Sequence, residues 1–337
     1  MHASVTKPAT IRNTLLQPTD FMIKKTLLVT LLIVSCSLGA MAQGTLTPGQ
    51  STGVGCRPGY SCQNFSVTAP GIPNYSGSCA GTFEVRRSVT GAAGTVVFFS
   101  GGRGTDWYMA NTPLANQLCD RLIALNYDII QVKWSGNGWV STLPGMSIGQ
   151  ATLAERPSTV IYWLKANRAR GQRFVLGGGS NGSTQIAYSL AFYGVGAITD
   201  TAVLVAGPPY MEIEKGCAQV RGYAYAPNEA SLVDLSYGYV NDPTAGACYN
   251  HRPTWFERER INSVNSGTTY SYPRTSVKIL LGAKDSPTIN NRGRDYFNLL
   301  QAKGQARLSI SFVPNTGHTL QQTQQGIDAI LNAITQP

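Results

Sequence analysis

Short apolar runs alternate with helix-like patterns from about residue 82 to the end of the chain. Helical periodicity predicts helices at Thr112–Leu125, Thr152–Asn167, Ser183–Tyr193, Ile289–Ala302 and Leu320–Ile334. The apolar runs predict strands at Thr82–Val89, Thr95–Ser100, Asp128–Lys133, Arg173–Leu176, Ala202–Ala206, Val277–Leu281 and Ser309–Val313. Short apolar strands separated by helices are typical of a mostly parallel sheet with both faces covered. The sequence therefore predicts an α/β fold.

Two stretches interrupt this alternation. Residues 43–80 are rich in Gly, Pro, Ser and Cys and show no helical pattern, which predicts an N-terminal extension pinned by disulfides. Residues 208–275 form a long insertion in the α/β domain predicted for 81–337. Structureless loops of that length are uncommon, so we expect the insertion to carry its own helices and to serve as a lid or substrate wall. Its aromatic residues are Tyr210, Tyr223, Tyr225, Tyr237, Tyr239, Trp255 and Phe256.

Residues 1–42 are interpreted as an upstream extension followed by a signal peptide. The basic start at Met22-Ile23-Lys24-Lys25 is followed by the apolar segment Thr26–Val34, which is too short to span a bilayer, and by the small-residue cleavage site Ala40-Met41-Ala42. We expect a secreted or periplasmic protein that starts at Met1 or Met22. The alternative is a lipoprotein anchored at Cys36.

Six cysteines remain after cleavage at Ala42, and an even number in an exported chain favours disulfides. They are Cys56, Cys62, Cys79, Cys119, Cys217 and Cys248. We predict that Cys217 pairs with Cys248, because these two lie beyond the first 119 residues and together close the insertion. A zinc site is the alternative, but no Cys-x-x-Cys or histidine cluster accompanies the cysteines.

The formal net charge is +10, and most basic residues are scattered along the chain. One denser patch comprises Lys165, Arg168, Arg170 and Arg173, at the end of a predicted helix. A solvated helix face explains such a patch better than nucleic-acid binding does. We therefore expect no nucleic-acid partner.

A glycine-rich turn follows the strand Arg173–Leu176 and precedes a helix. It contains Gly178-Gly179-Ser180-Asn181-Gly182, a G-x-S-x-G pattern. A sharp strand-to-helix turn forces its central residue into a strained conformation, and flanking glycines avoid collision with the neighbouring backbone. The hydroxyl of Ser180 would then project above the sheet, and the N–H of Asn181 would point at a developing oxyanion. The pattern predicts a nucleophilic serine.

Over residues 82–335 the chain resembles the α/β-hydrolase superfamily, although it cannot be assigned to a subfamily. The resemblance implies a triad in the order serine, acid, histidine. Asp285 lies in the turn after the strand Val277–Leu281 and before Pro287, where that family places its carboxylate. His318 follows the last strand, where the family places its histidine. The resemblance thus implies Ser180 as nucleophile, Asp285 as acid and His318 as base.

The assignment of His318 as the base follows from the small number of histidines in the chain. The assignment of Asp285 as the acid has alternatives. The chain has three histidines, of which His2 precedes the mature protein and His251 lies in the insertion. For the acid, Glu212 and Glu214 follow the strand Ala202–Ala206, and an acid in that turn can reach the same histidine. Asp285 itself can also be explained as a helix N-cap.

A second oxyanion donor is expected from the turn after the strand Thr95–Ser100. Gly101-Gly102-Arg103-Gly104 follows this strand at the place where the family keeps a His-Gly loop, with Ser100 replacing the usual histidine. Glycines let the backbone approach a substrate carbonyl closely. We expect donors from the N–H of Asn181 and of Gly102 or Arg103. Whether the Arg103 side chain contacts substrate is left open.

The same turn also satisfies a dinucleotide-binding pattern, Gly177-x-Gly179-x-x-Gly182. That fold requires an acid about 20 residues later, at the carboxyl end of the next strand. Asp200 is at that distance but precedes its strand, so it would lie at the wrong end of the sheet. We therefore expect no nucleotide cofactor.

Together these features predict an exported serine hydrolase that cleaves a carboxylic ester through an acyl-enzyme. The predicted partner is a small-molecule or polymeric ester, and no cofactor, metal or membrane span is expected. The alternatives are an acyltransferase or a peptidase on the same triad, or a non-catalytic ligand-binding module. A binding module would have no reason to keep all three triad positions.

Overall fold

The structure is a computed structural model of the chain, and it describes residues 44–51, 56–72, 78–109 and 112–336. The predicted signal peptide, with Met22, Cys36 and the cleavage site after Ala42, lies outside the described residues. The predictions about the leader and the start of translation therefore stay predictions.

Within the described residues, nine strands form one sheet. They are β1 (Thr45–Ser51), β2 (Ser61–Thr68), β3 (Ser78–Arg86), β4 (Gly94–Phe99), β5 (Tyr127–Trp134), β6 (Arg173–Gly179), β7 (Thr201–Val205), β8 (Ser276–Gly282) and β9 (Leu308–Val313). The strand order is β1-β2-β3-β5-β4-β6-β7-β8-β9. The first three strands and β5 pair antiparallel, and β5, β4, β6, β7, β8 and β9 pair parallel. The carboxyl ends of the parallel strands therefore meet at one edge of the sheet.

The helices connect these strands and cover both faces of the sheet. In the described part of the chain they are α1 (Pro113–Ala124), α2 (Gln150–Leu153), α3 (Glu155–Asn167), α4 (Asn181–Tyr193), α5 (Ile213–Cys217), α6 (Pro227–Ser236), α7 (Phe256–Ile261), α8 (Pro287–Ala302) and α9 (Gln324–Thr335). All seven predicted strands and all five predicted helices are present, with shifts of a few residues at their ends. None of the described helices is both long enough and apolar enough to cross a membrane.

The hydrophobic core has two layers, one on each side of the sheet. Val96 and Phe98 of β4 pack into one buried cluster with residues of α1 and α9. Val97 and Phe99 pack into the other cluster with residues of α3 and α4. Alternate side chains of a strand point to opposite faces of the sheet. Because helices cover both faces, every side chain of this central strand is buried. Each such burial contributes roughly 1.5–3 kcal/mol. The α/β prediction is confirmed.

Residues 43–80 contain two strands that the sequence analysis did not predict. β1 and β2 form a hairpin-like pair at the sheet margin, and β2 continues the sheet by pairing with β3 from Ser61↔Val85 to Thr68↔Ser78. Phe65 of β2 stacks on Phe83 of β3, with ring centroids 4.1 Å apart. This segment therefore extends the main sheet and shares its core.

The insertion 208–275 carries its own helices, as predicted. It contains α5, α6 and α7, with short 3₁₀ turns between α6 and α7 and after α7. Tyr210, Tyr225 and Tyr237 are buried in the core cluster that also contains residues of α4. The insertion is therefore a packed layer on the sheet, and its aromatic residues mainly stabilise this packing.

Two disulfides are present in the described residues. Cys217 pairs with Cys248, which confirms the predicted pairing, and Cys56 pairs with Cys62. Cys79 and Cys119 are buried free thiols, so four of the six cysteines form disulfides in the described residues. The group Cys217, Cys248 and Glu259 has the spacing of a metal site, but the disulfide removes both thiolates as ligands.

We predict that removing the insertion disulfide lowers the free energy of unfolding. The bond closes 31 residues, and a loop of that length contributes about 3–4 kcal/mol by restricting the unfolded chain. The test is urea unfolding of the Cys217→Ala, Cys248→Ala double variant. The Cys56→Ala, Cys62→Ala double variant is the control, with a smaller expected loss because its loop spans 6 residues. An equal or smaller loss at Cys217 and Cys248 would contradict this prediction.

Candidate active site

The turn from β6 to α4 places Ser180 at the carboxyl edge of the sheet. Ser180 has φ 51° and ψ −123°, a positive φ that is strained for a residue with a side chain. Such a conformation costs on the order of 1–3 kcal/mol. The N–H of Ser180 donates to the carbonyl of Val205 at 2.8 Å, and its carbonyl accepts from the N–H of Ser183 at 2.9 Å. These bonds from β7 and α4 hold the strained residue in place.

The two outer glycines of G-x-S-x-G are required by close backbone approach. A Cβ at Gly178 would lie 2.4 Å from the carbonyl carbon of Gly182, and a Cβ at Gly182 would lie 2.1 Å from the carbonyl oxygen of Phe99. Both contacts are with backbone, which cannot move aside as a side chain can. The crossing of β6, α4 and the end of β4 therefore admits only glycine at these positions.

The loops that follow β8 and β9 are tied to each other by backbone contacts. The N–H of Lys284 donates to the carbonyl of Thr316 at 2.8 Å. A Cβ at Gly282 would lie 2.2 Å from the carbonyl oxygen of Gly317, so a side chain at Gly282 would force the loops apart. This close contact brings Asp285 and His318 together.

Asp285 and His318 form a hydrogen bond, with Oδ2 of Asp285 2.9 Å from Nδ1 of His318. The Asp285 side chain is 4% exposed, whereas the His318 side chain is 42% exposed. The bond to Asp285 raises the pKa of His318 above its ordinary value of 6.5, while burial opposes this shift. Asp285 therefore holds the imidazole at Nδ1 and leaves Nε2, on the other side of the ring, without a contact to Asp285.

The rival acids lie elsewhere. Glu212 forms an ion pair with Lys215 at 2.6 Å, and Glu214 accepts a hydrogen bond from Ser263 at 2.8 Å. Neither lines the cavity that holds Ser180. The helix N-cap after β8 is Ser286, whose hydroxyl accepts from the N–H of Ile289, so capping does not account for Asp285.

Ser180, Asp285 and His318 all line one cavity of about 640 Å³ at the carboxyl edge of the sheet. The walls come from the turn after β4, from the start of the insertion and from the turn after β9. The insertion contributes Pro209, Tyr210, Ala226, Asn228, Glu229 and Leu232. The insertion therefore forms one wall of the cavity, and Tyr210 is its one aromatic residue that lines the cavity.

The three predicted site residues meet in this cavity, but one contact is missing. Among the hydrogen bonds of the described residues, none joins Oγ of Ser180 to Nε2 of His318. Catalytic hydrogen bonds are often long without substrate and tighten in the complex. The assignments of nucleophile, acid and base stay predictions.

The turn after β4 lies against Ser180. A Cβ on Gly101 would lie 3.1 Å from Cβ of Ser180. The Asn181 side chain donates to the carbonyl of Gly102 at 2.6 Å and so holds the turn against α4. Among the described backbone hydrogen bonds, none uses the N–H of Asn181, Gly102 or Arg103. The Arg103 side chain donates to Asn137 at 2.9 Å and lines the cavity.

Glu229 is a charged cavity residue that the sequence analysis missed. It lies in the first turn of α6, where its Oε2 accepts from the N–H of Ala226 at 2.9 Å and its Oε1 pairs with the buried Arg292 at 3.4 Å. Its negative charge adds to that of Asp285 in raising the pKa of His318. Nothing in the local sequence distinguishes it from an ordinary glutamate in the first turn of a helix, where an acidic side chain is favoured by the helix dipole.

The dinucleotide alternative is not supported by the position of its acid. Asp200 precedes β7, and its carboxylate accepts from the N–H of Phe174 at the start of β6 at 2.7 Å. It therefore lies at the opposite end of the parallel strands from Ser180. A ribose bound at the glycine turn could not reach it.

Comparisons with known proteins connect this arrangement to solved structures. No family model and no curated protein sequence matches the chain. The structure of carboxyl esterase 2 from Tuber melanosporum is similar over 84% of this chain and 87% of that chain, with a TM-score of 0.50 and 14% identity. The esterase Est22 is similar over 82% and 79%, with a TM-score of 0.51 and 14% identity. A glucuronoyl esterase from Teredinibacter turnerae is similar over 88% and 79%, with a TM-score of 0.50 and 12% identity.

These structures share the sheet-and-helix architecture described above. The chain therefore has the α/β-hydrolase fold, as the resemblance of its motifs implied. At these identities the similarity defines the fold, and the chemistry must be argued from the site itself.

We predict that the two carboxylates near His318 set the acid limb of the pH profile. A general base must be neutral, so kcat/KM should rise with pH through the pKa of His318, with a midpoint above 6.5. Glu229→Gln removes one negative charge and should move this midpoint to lower pH. The glutamine oxygen can still accept from Ala226. The measurement is the pH dependence of kcat/KM on p-nitrophenyl acetate.

The matched control is Glu257→Gln. Glu257 is an exposed glutamate paired with Arg260 on α7, away from the cavity. This variant should keep the wild-type midpoint. An unchanged or higher midpoint in Glu229→Gln would show that Glu229 does not act on His318.

A second prediction separates Asp285 from its rivals. Asp285→Asn should lower kcat by about four orders of magnitude, because the amide favours the wrong tautomer of His318. Glu212→Gln and Glu214→Gln should stay close to wild-type turnover on the same ester. A severe loss at either glutamate together with an active Asp285→Asn would reverse the assignment.

Proposed function

We propose that the protein is a carboxylic ester hydrolase with Ser180 as nucleophile, His318 as general base and Asp285 as the acid that orients the base. The observation that carries the proposal is the convergence of these three side chains on one cavity, with Ser180 on a strained turn and the Asp285–His318 hydrogen bond formed. Structures of the same fold that are named as esterases support ester hydrolysis in general.

In the first step, Oγ of Ser180 attacks the ester carbonyl carbon and its proton passes to Nε2 of His318. The carbonyl oxygen becomes an oxyanion, and collapse of this tetrahedral species releases the alcohol, which takes the proton from His318. Water then attacks the acyl-enzyme with His318 again as base, which releases the acid and restores Ser180. Asp285 stays ionised and stabilises the imidazolium in each step.

The oxyanion would accept from the N–H of Asn181 and from the N–H of Gly102 or Arg103. These groups are not committed to other backbone hydrogen bonds among the described residues. The Asn181–Gly102 hydrogen bond holds both donors in a fixed relation. Loss of one such donor typically costs about 10²–10³ in kcat.

Hydrolysis is favoured over acyl transfer by the exposure of the base. With 42% of the His318 side chain exposed, water can reach Nε2 once the alcohol has left. A peptidase on the same triad and a non-catalytic binding module are the remaining alternatives. The strained φ of Ser180 argues against a binding module, because ligand binding alone does not require it.

We also propose that the protein is exported. The disulfides Cys56–Cys62 and Cys217–Cys248 support this, since such bonds persist in oxidising compartments. The predicted signal peptide gives the route. The proposed reaction uses side chains and backbone of this chain, without a cofactor or metal.

Replacing the nucleophile tests the proposal. Ser180→Ala should lower hydrolysis of p-nitrophenyl acetate by at least about 10⁴ while circular dichroism stays that of the folded protein. The matched control is Ser183→Ala in the same turn, since the Ser183 hydroxyl is buried and donates to the carbonyl of Ser180. This control should remain active within about tenfold, the cost of one hydrogen bond. Retention of more than about a hundredth of wild-type turnover in Ser180→Ala would refute the assignment.

A further inference from the structure

The cavity wall offers little aliphatic surface for a long acyl chain. Its aliphatic residues are Pro209, Ala226, Leu232 and Ile289, and they lie among many polar side chains. Binding of a long acyl chain depends on burying its CH₂ groups against apolar surface. With so few aliphatic residues, this cavity is poorly suited to fatty-acid esters.

Three side-chain amides at the cavity have no hydrogen-bond partner among the described residues. Asn228 lies in the first turn of α6, and Gln321 and Gln322 lie in the 3₁₀ turn shortly after His318. Each amide offers an acceptor oxygen and two donor hydrogens. These uncommitted groups come from two separate elements, the insertion and the histidine turn.

Aromatic rings complete the cavity, and each is held by its surroundings. Tyr108 stacks on Phe98 with centroids 4.7 Å apart, and Tyr210 packs against Tyr225 at 5.4 Å. The third ring, Trp107, has the ammonium of a lysine on β5 at 5.5 Å from its centroid. Tyr108 and Tyr210 are almost fully buried, whereas Trp107 is partly exposed in the cavity and is the ring that a ligand can contact.

We propose that this cavity binds the sugar or other polyol part of a short-chain carboxylic ester. A polyol presents closely spaced hydroxyls, which match free amides that both donate and accept, and its C–H face packs on the partly exposed ring of Trp107. The small aliphatic surface limits the acyl group to a short chain. This inference rests on the proposed esterase function of Ser180, because the amides select a substrate that Ser180 cleaves.

The test compares two acetates that differ in their hydroxyls. In 6-O-acetylglucose and cyclohexylmethyl acetate the same acetyl group is carried by a primary alcohol next to a six-membered ring. A site that hydrogen-bonds hydroxyls should give kcat/KM at least about tenfold higher for 6-O-acetylglucose. p-Nitrophenyl acetate reports the esterase activity itself, and p-nitrophenyl palmitate should be a poorer substrate than the acetate.

The amides are tested by the triple variant Asn228→Leu, Gln321→Leu, Gln322→Leu. The ratio of kcat/KM for 6-O-acetylglucose to that for cyclohexylmethyl acetate should fall by about tenfold or more. Gln325→Leu is the matched control, since Gln325 is an exposed glutamine on α9 that does not line the cavity. It should keep the wild-type ratio.

A competition measurement tests the same inference on the wild-type protein. Methyl glucoside should inhibit hydrolysis of p-nitrophenyl acetate, and cyclohexylmethanol should not.

The outcomes separate this inference from the proposed function. Equal or better hydrolysis of cyclohexylmethyl acetate, or a preference for the palmitate, would overturn the polyol assignment. The esterase function would still stand if p-nitrophenyl acetate is cleaved and Ser180→Ala abolishes the cleavage. If the wild-type protein cleaves none of these esters, the proposed function fails and the polyol inference fails with it.

Discussion

The backbone crossing between the ends of β4 and β6 and the start of α4 is the constraint on which the site depends. Gly178 approaches Gly182, and Gly182 approaches the carbonyl of Phe99, at distances that leave no room for a Cβ. This packing holds Ser180 at a positive φ and sets the glycine turn after β4 beside its side chain. The buried strands β4 and β6 supply the stability that offsets the strain, so the position of Ser180 is a consequence of the core.

The topology of the sheet brings the other residues of the site close to Ser180. Because β4, β6, β8 and β9 run parallel, the turns at their carboxyl ends meet at one edge, and these turns carry the glycine loop, Ser180, Asp285 and His318. The insertion after β7 lines one side of the cavity and contributes Glu229 and Asn228 to it. We propose that residues in the turns at this edge of the sheet carry out the reaction. The insertion and the turn after His318 then determine which substrates bind. The lining of the cavity can thus vary without disturbing the turns that carry Ser180, Asp285 and His318.

Much of this arrangement could be predicted from sequence because it follows from local patterns. The apolar strands, the helices and the turns holding Ser180, Asp285 and His318 each have a signal within about ten residues. β1 and β2 were missed because Pro48 and Gly49 interrupt β1 and Gln63 and Asn64 weaken the strand pattern of β2, and the pairing of β2 with β3 is a tertiary effect. Glu229 and the amides of Asn228, Gln321 and Gln322 were missed for another reason. Their roles depend on which face of a short helix or turn meets the cavity, and polar residues at such positions are usually solvated.

The most direct measurement of the central claim is covalent labelling of the nucleophile. A fluorophosphonate reacts with a serine that an adjacent base activates, and it leaves ordinary serines unmodified. We predict a single adduct, which mass spectrometry of the digested protein should locate on Ser180, with loss of esterase activity in proportion to labelling. An adduct on another serine, or undiminished ester hydrolysis by protein fully labelled at Ser180, would contradict the account.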